Sequence, residues 1–178
     1  IYLRVDATYF KKFCVVCYQD DVISYTQLFR FSDGERYEEI KEDLFNLLNL
    51  GLQIASITCD GHKATLKAIK KIMPGIIVQR CLVHIQRMCL LWLTAHPTYD
   101  AGKELRPLVL MLHQIKTHND KLHWIQSLLA WEIRFKDFLK EKSYKPETCR
   151  YWFKHRLIRR SFFTIKRALP NMFHYLDN

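Results

Sequence analysis

The feature that most constrains this chain is an apolar segment that runs directly into an acidic residue and a glycine. Residues 54–59 read Ile-Ala-Ser-Ile-Thr-Cys, and Asp60-Gly61 follows them. A helical pattern begins at once over residues 62–73, so the segment predicts a buried strand that turns sharply through the glycine into a helix. A charge at the end of a buried strand is costly, so Asp60 needs a partner, a metal ion or an open site.

A second acid, Asp6, lies inside another strand-like run at the start of the chain. The hydrophobic pattern predicts three strands with short polar turns, a helix that Gly51 ends, the strand before Asp60, a helix and a short strand. The order is β-β-β-α-β-α-β, which indicates an α/β fold with a mixed five-stranded sheet and flanking helices. The predicted segments are 1–9, 13–19, 22–31, 35–50, 54–59, 62–73 and 76–78.

After Arg80 the strand signal disappears, and the rest of the chain predicts helices. Asn119 is the expected N-cap of the third of them. The predicted domains are an α/β core over 1–95 and an all-helical region over 96–178 that packs on the core. The predicted helices are 81–95, 101–117, 120–142 and 147–168.

In this strand order the first strand is central, and the fourth pairs beside it in parallel through a right-handed crossover. Asp6 and Asp60 then face each other on strands about 4.8 Å apart. Two carboxylates that close repel unless divalent cations lie between them, and oxygen ligands suit Mg²⁺ or Mn²⁺. A pair of such ions activates water or a 3′-hydroxyl against a phosphodiester. The simpler alternative is that Asp6 is an exposed edge residue and Asp60 an ordinary helix N-cap.

Three motifs resemble DDE transposases of the Mutator-like superfamily, a group that includes bacterial insertion-sequence transposases. They are Asp6-Ala7-Thr8-Tyr9, then Asp60-Gly61, then Cys81-x-x-His84. The resemblance covers about residues 1–95 and implies a ribonuclease H-like core. Asp6 and Asp60 would be catalytic and would hold two Mg²⁺ or Mn²⁺ ions. Cys81 and His84 would lie beside the acids or contact DNA.

The resemblance also implies a catalytic Glu after a helical insertion, and residues 96–178 fit such an insertion by their helicity. Glu132, Glu141 and Glu147 lie in the basic region and are expected to be helix surface acids, so the third acid is expected after residue 178 and this chain alone could be inactive. The implied function is metal-dependent DNA cleavage and strand transfer by a homo-oligomer on double-stranded DNA. The alternatives are a non-catalytic DNA-binding protein derived from a transposase and a ribonuclease H-like nuclease.

The net charge of +10 is carried by the later part of the chain. Residues 1–60 contain 6 Lys and Arg against 10 Asp and Glu, whereas residues 101–178 contain 16 against 7. A basic region of this kind predicts a nucleic-acid partner, and a solvated basic face is the alternative. Aromatic residues interleave with the predicted phosphate-binding cations, which are Arg150, Lys154, Arg156, Arg159, Arg160, Lys166 and Arg167.

The six cysteines lack the density of a disulfide scaffold, which favours a reducing compartment: the cytoplasm of a bacterium, or the nucleus of a eukaryote. Cys14 and Cys17 form a C-x-x-C in a predicted strand, where they would point to opposite faces and could not chelate one ion together. The spacing C-x2-H-x18-C-x2-H from Cys59 to His84 also allows a zinc site, although a buried, hydrogen-bonded Cys and His is the simpler alternative. No segment approaches the roughly 18 apolar residues of a membrane span.

Overall fold

The computed structural model describes residues 1–177. The chain divides into two compact units. The first comprises residues 1–81 together with the C-terminal segment that begins at Asn171, and the second comprises residues 82–170.

The first unit is built on a mixed five-stranded sheet with the order β3-β2-β1-β4-β5. The antiparallel pairs are β1 with β2 and β2 with β3, and the parallel pairs are β1 with β4 and β4 with β5. The predicted mixed sheet with β1 at its centre is therefore confirmed. The strands are β1 Tyr2–Tyr9, β2 Cys14–Asp20, β3 Thr26–Ser32, β4 Ser56–Cys59 and β5 Ile77–Arg80.

Two helices cover one face of this sheet: α1 spans Tyr37–Asn49 and α2 spans Lys63–Ile72. The strands alternate between buried and half-buried residues, which is the pattern of a sheet with one face on a core. Gly51 follows α1 with φ +87°, a conformation that glycine adopts without strain, so the predicted end of this helix is confirmed. The core of this unit consists mainly of Leu3, Val5, Val16, Tyr18, Ile40, Leu44, Leu47, Ile57, Ala68 and Ile69.

The third strand begins at Thr26, and the predicted start at Val22 was wrong. The backbone turns here because the Asp20 carboxylate accepts a hydrogen bond from the Val22 N–H at 2.9 Å. The Asp20 N–H also donates to the Tyr25 carbonyl at 2.8 Å. An aspartate that bonds the backbone two residues ahead is a turn signal that the apolar Val22-Ile23 pair obscured.

The second unit contains four helices, α3 Leu82–Leu93, α4 Asp100–Met111, α5 His118–Phe135 and α6 Arg156–Ala168. Trp124 and Trp131 are buried, and their indole N–H groups donate to the carbonyls of Leu108 and Ala101. Both tryptophans therefore belong to the packed core of this unit. Other buried residues of this unit include Ile85, Cys89, Leu93, Leu105, Val109, Leu128, Phe162 and Ile165. Within residues 1–177, no helix is both long enough and apolar enough to cross a bilayer.

The second unit is not all-helical as predicted, because it contains an antiparallel hairpin of β6, Lys142–Lys145, and β7, Arg150–Phe153. The predicted helix over 120–142 ends at Phe135, and the one over 147–168 begins at Arg156. Pro146 cannot continue a helix, and it opens a tight turn between the strands. Glu141 therefore lies next to β6 and Glu147 in the 3-10 turn of the hairpin, and of the three predicted helix surface acids only Glu132 lies on an α-helix.

The N-cap of α5 is Thr117, and the predicted Asn119 lies in the first turn. Thr117 and Asp120 form a reciprocal capping box. The Asp120 N–H donates to the Thr117 hydroxyl at 3.1 Å, and the Asp120 carboxylate accepts from the Thr117 N–H at 2.9 Å. Because the capping box satisfies two backbone N–H groups, a helix that begins after Thr117 is more stable than one that begins after Asn119.

Candidate functional site

One acid, Asp6, lies within β1, and the other, Asp60, directly follows the last residue of β4, at the point where these neighbouring parallel strands stop pairing. The last paired residues of this ladder are Val5 and Cys59. Asp6 is the next residue of β1, and Asp60 is the first residue after β4, so the register continued by one step would set their backbones side by side. Adjacent strands lie about 4.8 Å apart.

Asp6 lies on the sheet face opposite α1 and α2. Its neighbour Val5 points into the core and is 4% exposed, and successive residues of a strand alternate between faces. The partner of Asp6 on β2 is Cys17, which is half-buried, whereas Cys14 is fully buried. The two cysteines therefore lie on opposite faces of the sheet, as their spacing predicts. The outer face that holds Asp6 is partly open to solvent.

The turn after β4 fixes the Asp60 carboxylate. Asp60 Oδ1 accepts a hydrogen bond from the His62 N–H at 2.7 Å, and Asp6 Oδ1 accepts one from the Ala7 N–H at 2.9 Å. Gly61 has φ +86°, and a Cβ there would lie 1.9 Å from Cζ of Arg80. The Arg80 guanidinium donates to the Asp60 carbonyl at 2.7 Å. Only glycine permits both this backbone conformation and this close approach.

Glu35, which the sequence pattern assigns only to the start of a helix, joins the elements around the two acids. Its side chain is 7% exposed and lies 3.4 Å from His62 Nδ1. It accepts hydrogen bonds from the Tyr9 hydroxyl at 3.0 Å and the Thr65 hydroxyl at 2.9 Å. Partial burial, and next the hydrogen bond to Glu35, raise the pKa of Tyr9 to about 12. The carboxylate thereby connects the end of β1 to the first turn of α2.

The residues at this end of the sheet offer two carboxylates as metal ligands. Among residues 1–177, no group of three or more His, Cys, Asp or Glu side chains is arranged to hold an ion. Mg²⁺ is commonly bound by one or two carboxylates together with water and substrate phosphates, so Asp6 and Asp60 fit that ion. Burial raises the pKa of Cys59 to about 11, which keeps it a thiol, and the zinc arrangement from Cys59 to His84 is not formed.

Cys81 and His84 occupy different structural positions. The Cys81 N–H donates to the Cys59 carbonyl at 2.8 Å and extends the parallel ladder one residue past β5. His84 lies in the first turn of α3, in the second unit. A role for this pair beside the acids or on DNA stays a prediction.

Three of the seven predicted phosphate-binding cations bond or pair with oxygen atoms of their own unit. Arg159 donates to the Leu139 carbonyl and lies 3.7 Å from the ring centroid of Phe153. Lys154 pairs with Glu141 at 3.3 Å, and Lys166 pairs with Glu132. Cations held in this way are less available to phosphates than cations whose charge faces solvent.

The other four cations are exposed: Arg150 on β7, and Arg156, Arg160 and Arg167 on α6. Arg156, Arg160 and Arg167 recur at spacings of four and seven residues, which places them along one face of the helix. They span about 16 Å at 1.5 Å per residue. The Arg160 guanidinium lies 4.3 Å from the ring centroid of Trp92, which orients it while leaving its charge exposed. We call these three residues the arginine stripe.

Comparison with known proteins gives the family of this chain. A family model described as transposase, Mutator family, matches residues 27–136, which is more than half of the chain and includes Asp60 and the Cys81-x-x-His84 pair. No curated protein matches the chain. The family agrees with the resemblance that the sequence motifs indicate. The chain belongs to the Mutator family of transposases.

Proposed function

We propose that this chain contributes the Asp6–Asp60 pair of a DDE-type, ribonuclease H-like site that cleaves DNA and joins a 3′-hydroxyl to target DNA. The observation that carries the proposal is the β1–β4 register, which ends at Val5 and Cys59, one residue before Asp6 and Asp60. Two acids that follow the last pair of a parallel ladder, on a partly open sheet face, suit a site for a phosphodiester and divalent cations.

Asp6 and Asp60 would hold Mg²⁺ or Mn²⁺, with two ions in the complete site. When bound, such ions activate the attacking oxygen and stabilise the leaving oxygen of a phosphodiester. The chain's own part is to fix the carboxylates. Hydrogen bonds from the Ala7 and His62 N–H groups orient one oxygen of each acid, and Glu35 anchors the segment that contains His62. Because the carboxylates are already oriented, they lose less conformational entropy when metal ions bind.

The charge of the second unit supports DNA as the substrate class. This unit contains 17 Lys and Arg against 7 Asp and Glu, whereas the first unit contains 11 of each. An excess of ten positive charges attracts a polyanion and makes binding depend on salt. The arginine stripe is the proposed main phosphate contact, and Arg150 lies separately on the hairpin.

The test is Asp60→Asn in the full-length protein. We expect this variant to lose DNA cleavage and strand transfer with Mg²⁺ or Mn²⁺ and to bind duplex DNA with unchanged affinity, since only a metal ligand is altered. Mg²⁺ should raise the melting temperature of the parent and not that of the variant, because a ligand stabilises the state that binds it. Asp137→Asn is the matched control, because Asp137 is 94% exposed and lies in the second unit.

Two outcomes would contradict this proposal. Cleavage that persists in Asp60→Asn would remove Asp60 from the site. A parent protein that binds DNA without cleaving it in either ion would favour the non-catalytic DNA-binding alternative.

A further inference from the structure

The β6–β7 hairpin contains an exposed tryptophan that the proposed chemistry does not use. Trp152 is 48% exposed, and the part of the chain that the structure describes gives its indole ring no ring contact, cation contact or hydrogen bond. The other three tryptophans each have such a partner: Trp92 lies under Arg160, and Trp124 and Trp131 donate to carbonyls. An exposed indole offers a free ring face on which another planar group can stack.

The register of the hairpin places two cations on the same face as Trp152. Lys145 pairs with Arg150, and Ser143 pairs with Trp152. Cross-strand partners share a face, and residues two apart along a strand also share it. Lys145, Arg150 and Trp152 therefore form one surface at the outer end of the hairpin, with a serine as the fourth member.

The opposite face of the hairpin has a structural explanation. Tyr144 and Tyr151 are cross-strand partners with ring centroids 4.6 Å apart, an arrangement that stabilises a hairpin. Next to them, the Phe153 ring is covered by the Arg159 guanidinium. The aromatic residues of this face thus hold the hairpin together and fix it to α6, whereas Trp152 does neither.

The open end of the hairpin is anchored, so its outer face is presented in a fixed way. The Lys154 N–H donates to the Glu141 carbonyl at 3.0 Å, which continues the ladder past the last strand pair. The Glu141 carboxylate bonds His155, whose ring stacks on Phe138 with centroids 3.6 Å apart. A surface that is already ordered loses little entropy when it binds a ligand.

We propose that Trp152, with Lys145 and Arg150, binds an unpaired nucleotide of DNA. The indole stacks on the base, and the two cations contact the phosphates on either side of it. Aromatic rings next to cations are the surface that single-stranded nucleic acid requires, and bases inside a duplex offer no free ring face. The inference rests on the proposed function, since a DNA-cleaving protein meets unpaired bases at the ends it makes.

The experiment measures binding by the full-length protein without divalent ions, using two duplexes of equal length. One is fully paired, and the other has a single unpaired 2-aminopurine. The parent should bind the second duplex at least about fivefold more tightly, since stacking contributes on the order of 1 kcal/mol or more per base. Stacking on the indole should also quench the 2-aminopurine fluorescence.

Four variants isolate the contacts. Trp152→Ala should lose both the preference and the quenching, and Trp152→Phe should keep most of the preference because it keeps a ring. Tyr25→Ala is the control, because Tyr25 is an exposed aromatic residue, 61% exposed, that lies outside the hairpin, so its removal leaves the Tyr144–Tyr151 pair intact. Lys145→Ala with Arg150→Ala should keep the quenching and lower the salt slope of single-strand binding by about 1.4, or 0.7 for each phosphate contact.

Three results would overturn the inference: a preference that survives Trp152→Ala, an equal loss on both duplexes, or a change in oligomeric state without a change in DNA preference. The last would assign the surface to a second copy of the chain. The variant Asp60→Asn should show the parent's preference, because no metal ion enters this assay. Failure of the metal site and failure of the hairpin inference are therefore distinguishable.

Discussion

The two units of this chain treat charged side chains in opposite ways. The first unit has 11 cations and 11 acids. Several of them form partly buried networks of ion pairs and hydrogen bonds, such as those around Glu35 and Asp43. The second unit has 17 cations and 7 acids and holds several cations at its surface, some against aromatic rings. The difference indicates a division of labour, in which one unit positions carboxylates and the other presents positive charge.

The comparison predicts different effects of charge removal in the two units. A buried network has already lost its contact with water, so removing one member leaves the others unsatisfied. An exposed cation keeps its water, so removing it alters the binding of an anion more than it alters folding. The following variants test this contrast, from the largest expected effect on stability to the smallest.

Asp43→Ala should have the largest effect. Asp43 is 1% exposed. Its carboxylate accepts a hydrogen bond from the Tyr18 hydroxyl at 2.9 Å and hydrogen bonds from two nitrogen atoms of the Arg30 guanidinium. Its loss leaves the buried Tyr18 phenol without its acceptor and the partly buried Arg30 guanidinium with only the exposed Glu42, and we expect the free energy of unfolding to fall by about 3–5 kcal/mol. Urea unfolding measures this change.

The control for Asp43 is Glu42→Ala, since Glu42 pairs with the same Arg30 from an exposed position. Its expected cost is below about 1 kcal/mol. Equal costs for the two variants would show that burial does not distinguish the two partners, and the contrast between the units would lose its basis.

Gly61→Ala should destabilise the first unit by about 2–4 kcal/mol, because the left-handed conformation and the crowding against Arg80 each add a penalty. The displaced turn should also weaken any response of the melting temperature to Mg²⁺. Gly34→Ala is the matched control, since a Cβ at Gly34 meets nothing within 4 Å and its φ is not positive.

The double variant Gly61→Ala with Arg80→Ala separates the two penalties. Removing the guanidinium should recover the part that comes from crowding and leave the backbone strain. If the loss of unfolding free energy in the double variant equals the sum of the losses in the two single variants, crowding by Arg80 is excluded as a cause.

The arginine stripe should affect DNA binding and not folding. We expect the triple variant Arg156→Ala, Arg160→Ala, Arg167→Ala to lower the slope of log affinity against log salt by about one to three, because each duplex phosphate that the protein neutralises contributes about 0.9 to that slope. Its stability should change by less than about 1 kcal/mol. Salt titration of duplex binding, with urea unfolding, gives both quantities.

Arg159→Ala is the counterpart on the same helix. Because Arg159 bonds the Leu139 carbonyl and covers the rings of Phe153 and Phe163, we expect a loss of stability of about 1–2 kcal/mol and little change in the salt slope. The reverse result, with a large slope change for Arg159→Ala and none for the stripe, would assign the DNA contact to the other side of α6.

The smallest effect concerns the pH dependence of Glu141. Hydrogen bonds, first from His155 and then from Lys154, lower the pKa of this carboxyl below its ordinary value. A lowered folded-state pKa gives stability that is present above the unfolded pKa, near about 4.3, and is lost as the pH falls through the folded one. The parent should therefore lose slightly more stability than Glu141→Gln between about pH 6 and pH 3. Glu147→Gln, in the hairpin turn, should follow the parent.

The order of elements in the first unit could be predicted because its signals are local. Alternation in β2, the apolar segment before Asp60 and Gly51 after α1 each depend on a few neighbouring residues. The hairpin was missed because its residues also fit an amphipathic helix, and only the turn at Pro146 separates the two possibilities. Tyr144 and Tyr151 stabilise the hairpin through a cross-strand contact that no local pattern reveals.

The candidate site was predictable in part. Strand order predicted that β1 and β4 are parallel neighbours, and their ladder ends one residue before Asp6 and Asp60; the joint role of the two acids stays a prediction. The contacts of Glu35 could not be predicted, since it reaches Tyr9 and Thr65 from 26 and 30 residues away along the chain. The sequence pattern assigned all seven cations to phosphate binding, although three of them bond or pair with oxygen atoms on other segments.

The sequence by itself determined which segments are strands in the first unit, where its acids stand on them, and where the positive charge is concentrated. These properties follow from periodicity, glycine positions and composition, which are read one segment at a time. The tertiary structure decided which charges are neutralised and which face solvent, because that depends on side chains that distant segments bring together. Contacts between distant segments also distinguish Trp152 from the three tryptophans that have partners, and Arg159 from the arginine stripe.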